Sequence, residues 1–358
     1  MKESTSILLH LLRALSVQMV VIGHGIVFFR IFILLQPPYF AFIQNIGVVI
    51  LFILSGIVIS FSICRNVDNN KNYCFRDYFI NRFSRIYAGF IPALFFVAVI
   101  DLISISIDGT NYKHYDAFNL ITFVGNLLML QDYPIIQFLS KFNPSINITS
   151  FGSGRPFWAL AVEWWIYLLF GWVVLKDGQC RAKKFYIILF LFSIVPLFNL
   201  VNGRGHGLTL VWLMGVVIYY VYRNSKRINN LAYSLPLAIL FIILSILYLS
   251  VRKEAYDLIF ETLLSISIFL LVIYTNSAPI IANGSFKKVI IYVSSYSYTL
   301  FLTHYSIFEL FVNYEESYSH YLLFAIAFIM SNLVSSCLAH FFERNYKYLS
   351  NLLKAYFL

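Results

Sequence analysis

The sequence predicts an all-α polytopic membrane protein, with about ten transmembrane helices enclosing a through-bilayer cavity. Of its 358 residues, 60% are hydrophobic and only 12% are charged, whereas soluble domains carry about 25% charged residues. The mean hydropathy is +0.78, and apolar stretches of about 20 residues, long enough to cross a bilayer, recur along the chain. This composition excludes a soluble protein, a nucleic-acid binder and a disordered chain, despite a formal net charge of +10.

Ten apolar stretches are predicted to span the membrane. Segment 108–156 is different, because it contains prolines and a Ser/Gly run, and its apolar piece 118–130 is too short to span. We therefore predict a loop there that holds a re-entrant or interfacial helix. The predicted spans cover residues 7–29, 44–64, 86–107, 157–175, 185–202, 208–222, 231–251, 258–275, 289–311 and 321–342.

The distribution of basic residues predicts the orientation, because Lys and Arg are enriched in cytoplasmic loops. With a cytoplasmic N-terminus and ten crossings, 19 of the 26 basic residues fall on inner segments and 7 on outer segments. We therefore predict an integral protein of the cell (inner) membrane with both termini cytoplasmic. Residues 1–358 would form a single membrane domain with the 108–156 loop on the extracytoplasmic side.

Ionisable residues inside predicted spans indicate functional sites, because charge is costly within a bilayer. In the first span, Arg13 and His24 are eleven residues apart, which places them on one helix face about 16 Å apart along the axis. A snorkelling arginine and a hydrogen-bonded core histidine would explain each residue alone. Their shared face favours a cavity that both residues line.

Two further acids lie in predicted spans. Glu163 lies among tryptophans in the fourth span, and it fits either a structural partner for an arginine or a carboxylate that orients a catalytic histidine. Asp101, near the outer end of the third span, is expected to be a helix-end charge that reaches water.

Other polar positions allow a structural and a functional interpretation. Arg82 and Arg85 are neighbours if helical, and a guanidinium pair suits a multi-phosphate ligand, although basic loops are also common on the cytoplasmic side. A lone histidine such as His304 is more often a satisfied core group. The Ser55-Gly56 pair is expected to permit close helix contact, and Glu343 is expected to be a helix-end charge. No metal site is predicted.

Taken in order, these motifs resemble the acyltransferase 3 family of integral-membrane O-acyltransferases. Each motif is short, but six in one order are specific. The matching segments are Arg13 to His24, Leu51 to Gly56 (FFxLSG), Arg82 to Ile86 (the arginine pair), Trp158 to Glu163 (WSLxxE), Ser297 to His304 (SYxxYLxH) and Glu343 (the terminal acid).

The chain departs from the family pattern at several positions. Val49 stands where the family has an acid near the presumed channel. This departure puts in doubt the specificity that the acid carries, and it affects the reaction class less. The other departures are Leu51, Ala88, Ala159 and Asn345. Some family members carry an SGNH hydrolase domain, and the residues after the tenth span are too few to hold one, so none is expected.

The resemblance implies transfer of an acyl group, usually acetyl from cytoplasmic acetyl-CoA, to a hydroxyl of a cell-surface carbohydrate or its lipid-linked precursor. Acetyl-CoA would be a co-substrate, with no bound cofactor and no nucleic-acid partner. The implied site residues are His24 and Glu163 for catalysis, Arg13, Arg82 and Arg85 for the donor, and Trp158, Ser297, Tyr298 and His304 in support.

Two other functions stay open as alternatives. A transporter of polysaccharide precursors would be expected to show internal repeats and Gly/Pro-broken helices in matching halves, and neither is visible in the sequence. A membrane glycosyltransferase would be expected to carry an acidic pair in an early outer loop, whereas residues 30–43 contain no acid.

The predicted loop topology can be tested by cysteine labelling. A cysteine introduced at Asn147 should react with an impermeant thiol reagent in intact cells, because segment 108–156 is predicted to face outward. The parent protein, with its four native cysteines, gives the background. Labelling of the new cysteine only after lysis would contradict the prediction.

Overall fold

The computed structural model describes residues 2–110, 112–175, 182–224, 233–277 and 284–357, and all regular structure in these residues is helical. Four residues that contributed to the inner side of the charge distribution lie outside the described residues: Lys176, Arg181, Lys226 and Arg227.

The helices follow the order of the predicted spans, with additional short helices between them. In chain order the α-helices are α1 (Glu3–Phe28), α2 (Ile43–Asn69), α3 (Phe75–Asp108), α4 (Leu120–Leu127), α5 (Pro134–Ser140), α6 (Phe157–Val174), α7 (Ala182–Val201), α8 (Leu208–Asn224), α9 (Ser234–Arg252), α10 (Leu258–Ser277), α11 (Gly284–Ser295), α12 (Ser297–Val312), α13 (His320–Phe341) and α14 (Tyr346–Phe357).

Eight of these helices, within the described residues, are long and apolar enough to cross a membrane: α1, α2, α3, α6, α7, α9, α10 and α13. Each coincides with a predicted span, so the structure confirms a polytopic, all-helical membrane protein. Helices suit the hydrocarbon core of a bilayer because they satisfy their backbone hydrogen bonds internally, and the hydrocarbon contains no water that could do so.

The two other predicted spans differ from expectation. The sixth corresponds to α8, a helix of 17 residues. The ninth, predicted as one helix over 289–311, is broken at Tyr296 into α11 and α12. Beside the break, the hydroxyl of Ser297 donates to the carbonyl of Ser294 (2.9 Å) and that of Ser295 to the carbonyl of Tyr292 (2.7 Å). Such local hydroxyl bonds to the backbone compete with regular helix geometry.

Helix α3 begins earlier than predicted. The third predicted span starts at residue 86, but α3 starts at Phe75, where the backbone N–H of Cys74 donates to the carboxylate of Asp77 (3.3 Å) and caps the first turn. Arg82 and Arg85 therefore lie on this helix rather than in a loop.

The described residues form two compact units, each made of two chain segments. Unit 1 comprises residues 1–71 and 206–297, and unit 2 comprises residues 72–205 and 298–358. Unit 1 therefore holds α1, α2 and α8 to α11, whereas unit 2 holds α3 to α7 and α12 to α14.

In unit 1, helix α2 packs against both α1 and α8. The contact with α8 is close at Gly56 and Gly215, because a Cβ on Gly56 would overlap the carbonyl oxygen of Trp212. The Trp212 indole N–H also donates to the hydroxyl of Ser55 (3.0 Å). The close helix contact predicted for Ser55-Gly56 is confirmed.

In unit 2, helix α3 packs against α6, α13 and α14. Aromatic rings fill the contact with α6, where Trp164 lies edge-on to Tyr87, with ring centroids 5.6 Å apart. Two turns further along α6, a Cβ on Gly171 would overlap the ring of Tyr78, whose hydroxyl donates to the carbonyl of Tyr167 (3.1 Å).

Segment 108–156 contains α4 and α5, of eight and seven residues. Both are too short to span a bilayer. They nevertheless expose large apolar side chains, among them Leu120, Ile121 and Phe138.

We predict that Gly56→Ala lowers the thermal unfolding midpoint of the purified protein. Alanine favours helix by about 1 kcal/mol over glycine, but overpacking costs about 1–3 kcal/mol, and the overlapping atom at Gly56 belongs to the backbone of α8. Gly284→Ala is the control, because a Cβ there meets no atom within 4 Å. An equal midpoint for both variants would contradict the close contact.

Candidate functional site

Arg13 and His24, the predicted residues of the first span, both lie on α1. The helix is continuous from Glu3 to Phe28, so the predicted spacing of the two residues along one face is retained. Both side chains are half-buried.

Gln44 is a buried polar residue next to this region that sequence reasoning missed. It lies in the first turn of α2, and its side-chain oxygen would be 2.6 Å from a Cβ on Gly23, the residue before His24. Among the described residues, no donor reaches this oxygen. The sequence alone could have indicated Gln44, because it is a polar residue at the edge of a predicted span.

Glu261, on α10 of unit 1, is a second buried group that sequence reasoning missed. It is 2% exposed, and both its carboxylate oxygens would be 3.2 Å from a Cβ on Gly207. Gly207 has φ +90°, a conformation that favours glycine. Glu261 is an acid inside a predicted span, as Glu163 is, so the same sequence feature indicates both residues.

In unit 2, residues of three separate motifs meet at the carboxyl group of Glu343. This side chain is 3% exposed; it accepts a hydrogen bond from the hydroxyl of Thr299 (2.8 Å) and lies 3.7 Å from the guanidinium of Arg85. Beside it, the Tyr298 hydroxyl donates to the carbonyl of Ile86 (3.0 Å). Glu343 was expected to be a helix-end charge, but it connects α3 and α12 at the end of α13.

The arginine pair on α3 also contacts aromatic rings. The guanidinium carbon of Arg85 lies 4.7 Å from the ring centroid of Tyr346, and that of Arg82 lies 5.9 Å from the ring centroid of Tyr78. The Arg85 side chain is still 40% exposed. Its position is therefore set by protein contacts while part of the side chain stays accessible.

Glu163 lies on α6, half-buried, and accepts a hydrogen bond from the hydroxyl of Tyr167 one turn later. The Tyr167 backbone carbonyl is in turn bonded to Tyr78 of α3. The direction of the Glu163 carboxyl group is therefore fixed within unit 2.

His304 and Ser297 make local contacts. His304 is fully buried, and its Nδ1–H donates to the carbonyl of Leu300 on the same helix (2.8 Å). Ser297 bonds to the carbonyl of Ser294 at the break before α12. These contacts are those of a core histidine and of a helix-end serine.

Asp101 is not the water-exposed helix-end charge that the sequence suggested. It is 1% exposed, and its carboxylate accepts a hydrogen bond from the backbone N–H of Ser153 (2.9 Å). The loop closes tightly over it, because a Cβ on Gly152 (φ +50°) would overlap the same carboxylate. Burial and the adjacent Asp101 carboxyl raise the pKa of Tyr112. The expectation was wrong because residues 150–154 cover this end of α3.

Trp158 lies at the start of α6, where its largely buried indole is covered by the guanidinium of Arg204, 4.8 Å from the ring centroid. This distance is that of a cation–π contact. In the described residues, no group of three or more His, Cys, Asp or Glu side chains is placed to hold a metal ion.

We predict that Thr299→Val lowers the free energy of unfolding by about 1–3 kcal/mol, because it removes a hydrogen bond to the buried Glu343 carboxylate. Equilibrium unfolding in mixed micelles measures this loss. Thr110→Val is the matched control, since Thr110 makes the same type of bond to Asp108 (2.6 Å) on the exposed surface. Equal losses of unfolding free energy in the two variants would mean that the hydrogen bond to Glu343 contributes no more than one on the exposed surface.

Comparison with known proteins identifies the family. The family model described as an acyltransferase domain matches residues 7–340. Curated relatives from Staphylococcus aureus strains COL, MSSA476 and MRSA252, each named "putative O-acetyltransferase", are 23% identical over 76% of this chain. The alignment covers 47% of their length, so the chain spans about half of the curated relatives it matches. No solved structure shows significant similarity to it. The chain belongs to the acyltransferase 3 family.

Proposed function

We propose that this protein is a membrane O-acyltransferase that moves an acetyl group from acetyl-CoA to a hydroxyl of a cell-surface carbohydrate or its lipid-linked precursor. The match of the family model to residues 7–340 carries the proposal. The names of the S. aureus relatives support acetyl as the transferred group.

The proposed donor enters from the cytoplasm, because the phosphate charges of coenzyme A exclude it from hydrocarbon. Both termini and the arginine pair of α3 belong to this side in the proposal, which the excess of basic residues on inner segments supports. We assign Arg82 and Arg85 to the donor phosphates, since guanidinium groups bind phosphate oxygens in bidentate geometry. Arg13 is assigned to the donor as well.

His24 is the proposed group for proton transfer. As a general base it removes the proton of the acceptor hydroxyl while the oxygen attacks the thioester carbon. The carbon–sulfur bond then breaks, and the coenzyme A thiolate takes the proton from the imidazolium. Alternatively, a ring nitrogen of His24 attacks the thioester carbon first, and the carbon–sulfur bond breaks to release the coenzyme A thiolate. The acceptor hydroxyl then takes the acetyl group from the imidazole, and its proton goes to the thiolate. Glu163 is the proposed carboxylate that balances positive charge during the reaction.

We predict that His24→Ala lowers acetyl transfer by at least about 100-fold, because general acid–base catalysis contributes 10²–10⁴-fold. Purified protein with acetyl-CoA, assayed for free coenzyme A and acetylated product, measures this. His206→Ala is the control, since His206 is an exposed histidine. Normal product from a well-expressed His24→Ala protein would overturn the assignment.

We predict that Arg85→Lys raises KM for acetyl-CoA more than it lowers kcat. Lysine keeps the charge but loses the planar fork that matches a phosphate. Arg82→Lys should behave alike, whereas Arg76→Lys, on an exposed position of the same helix, should change neither constant. If both lysine variants keep the KM and kcat of the parent protein, Arg82 and Arg85 contribute only positive charge at this end of α3, and their assignment to the donor phosphates is wrong.

A further inference from the structure

Unit 2 contains a cluster of charged side chains that the proposed reaction does not use. We call Arg155, Arg204 and Asp132 the outer cluster, because all three lie in segments predicted to face outward. Arg204 covers the indole of Trp158 at 4.8 Å. Trp158 lies three residues after Arg155 at the start of α6. The side-chain amide of Gln131, the residue before Asp132, donates to the carbonyl of Phe157 (2.9 Å), so the segments that carry the three charged residues meet at this end of the helix.

Polar side chains fix the backbone that carries the two arginines. The buried side chain of Asn199 donates to the carbonyls of Arg204 (3.4 Å) and Gly205 (2.9 Å). The Ser150 hydroxyl, on a buried residue, donates to the carbonyl of Arg155 (3.2 Å). The two guanidinium groups thus extend from turns with defined positions rather than from a free loop.

The third member of the cluster, Asp132, is held in a strained conformation. It has φ +55°, as does the fully buried Met129. Several bonds enforce this backbone: the N–H of Asp132 donates to the carbonyl of Ile148 (2.8 Å), and the Trp165 indole donates to the carbonyl of Met129 (2.8 Å). Strain of this kind persists only where the surroundings impose it, and it concentrates at functional sites.

The cluster carries a net positive charge. It contains two guanidinium groups and one carboxyl group, and burial raises the pKa of Asp132 although the charges of Arg204 and Arg155 oppose the shift. The nearest acid on α12, Glu309, is paired with His114 (3.2 Å). The first turn of α6 directly follows Arg155, and its backbone N–H groups add positive potential.

We propose that Arg155 and Arg204 form an acceptor subsite that binds the anionic group of a charged glycan. This inference rests on the proposed function, and it narrows the acceptor to a sugar bearing a carboxylate or one joined to its lipid carrier through phosphate. Guanidinium groups recognise both anions in the same bidentate way.

The test is calorimetric titration of the purified full chain with two matched pairs of probes. Trigalacturonate is compared with its carboxyl-reduced, neutral form, and a mannosyl phosphate ester of a short prenol with the mannosyl prenyl ether. At least one anionic probe should bind about tenfold or more tightly than its neutral partner, and the pair that shows this identifies the source of the anion.

The arginine variants locate the effect. Arg155→Gln and Arg204→Gln should each weaken the anionic probe about 10- to 100-fold, as expected for loss of a charge-assisted hydrogen bond, and leave the neutral probe unchanged. Arg204→Lys, which keeps a cation over Trp158, should lose less. Arg252→Gln, at an exposed arginine of unit 1, is the control and should bind like the parent protein.

Two results would overturn the subsite: no preference of the parent protein for either anionic probe, or a preference that survives both glutamine variants. Acetyl-CoA turnover by the same preparations separates this failure from failure of the proposed function. Turnover without anion preference rejects the subsite alone, whereas arginine-dependent binding without any turnover rejects the acyltransferase and leaves the subsite standing.

Discussion

The hydrocarbon of a bilayer contains no water, so polar side chains within the apolar helices of this chain depend on partners in the protein itself. The structure meets this requirement with bonds that join helices. Trp212 of α8 donates to Ser55 of α2 in unit 1, and Thr303 of α12 bonds to Ser335 of α13 in unit 2 (2.8 Å). Each such bond contributes about 0.6–2 kcal/mol, so several of them together favour these helix neighbours.

The carboxyl group of Glu343 shows how this constraint reaches the candidate site. It is buried, so it requires a donor, and Thr299 supplies one. Its carboxylate lies beside the guanidinium of Arg85, and that guanidinium also lies over the ring of Tyr346. A residue proposed to bind the donor is thus positioned by the same contacts that hold α3, α12 and the end of α13 together. Loss of Glu343 would therefore affect stability and donor affinity together.

The positions of the spans could be predicted from the sequence because they follow from local hydropathy, and eight were confirmed. The break at Tyr296 escaped prediction because apolar length does not register the serine hydroxyls that bond to nearby carbonyls. The burial of Asp101 and the pairing of Arg85 with Glu343 were missed for another reason. Each depends on residues more than fifty positions away in the chain, and periodicity within one helix contains no information on such partners.

Helix α3 connects the two proposed recognition regions of unit 2. Arg85 and Asp101 are sixteen residues apart, about 24 Å along a helix, which approaches the thickness of the hydrocarbon core. The arginines proposed to bind the donor lie on the helix itself, and Arg85 is near Glu343, whereas Asp101 fixes the loop that leads to Arg155 through Ser153. Loops vary more readily than the helices that carry them. If Arg155 and Arg204 bind the acceptor as proposed, sequence changes in the segments that carry them alter acceptor choice while α3 keeps the residues proposed for the donor.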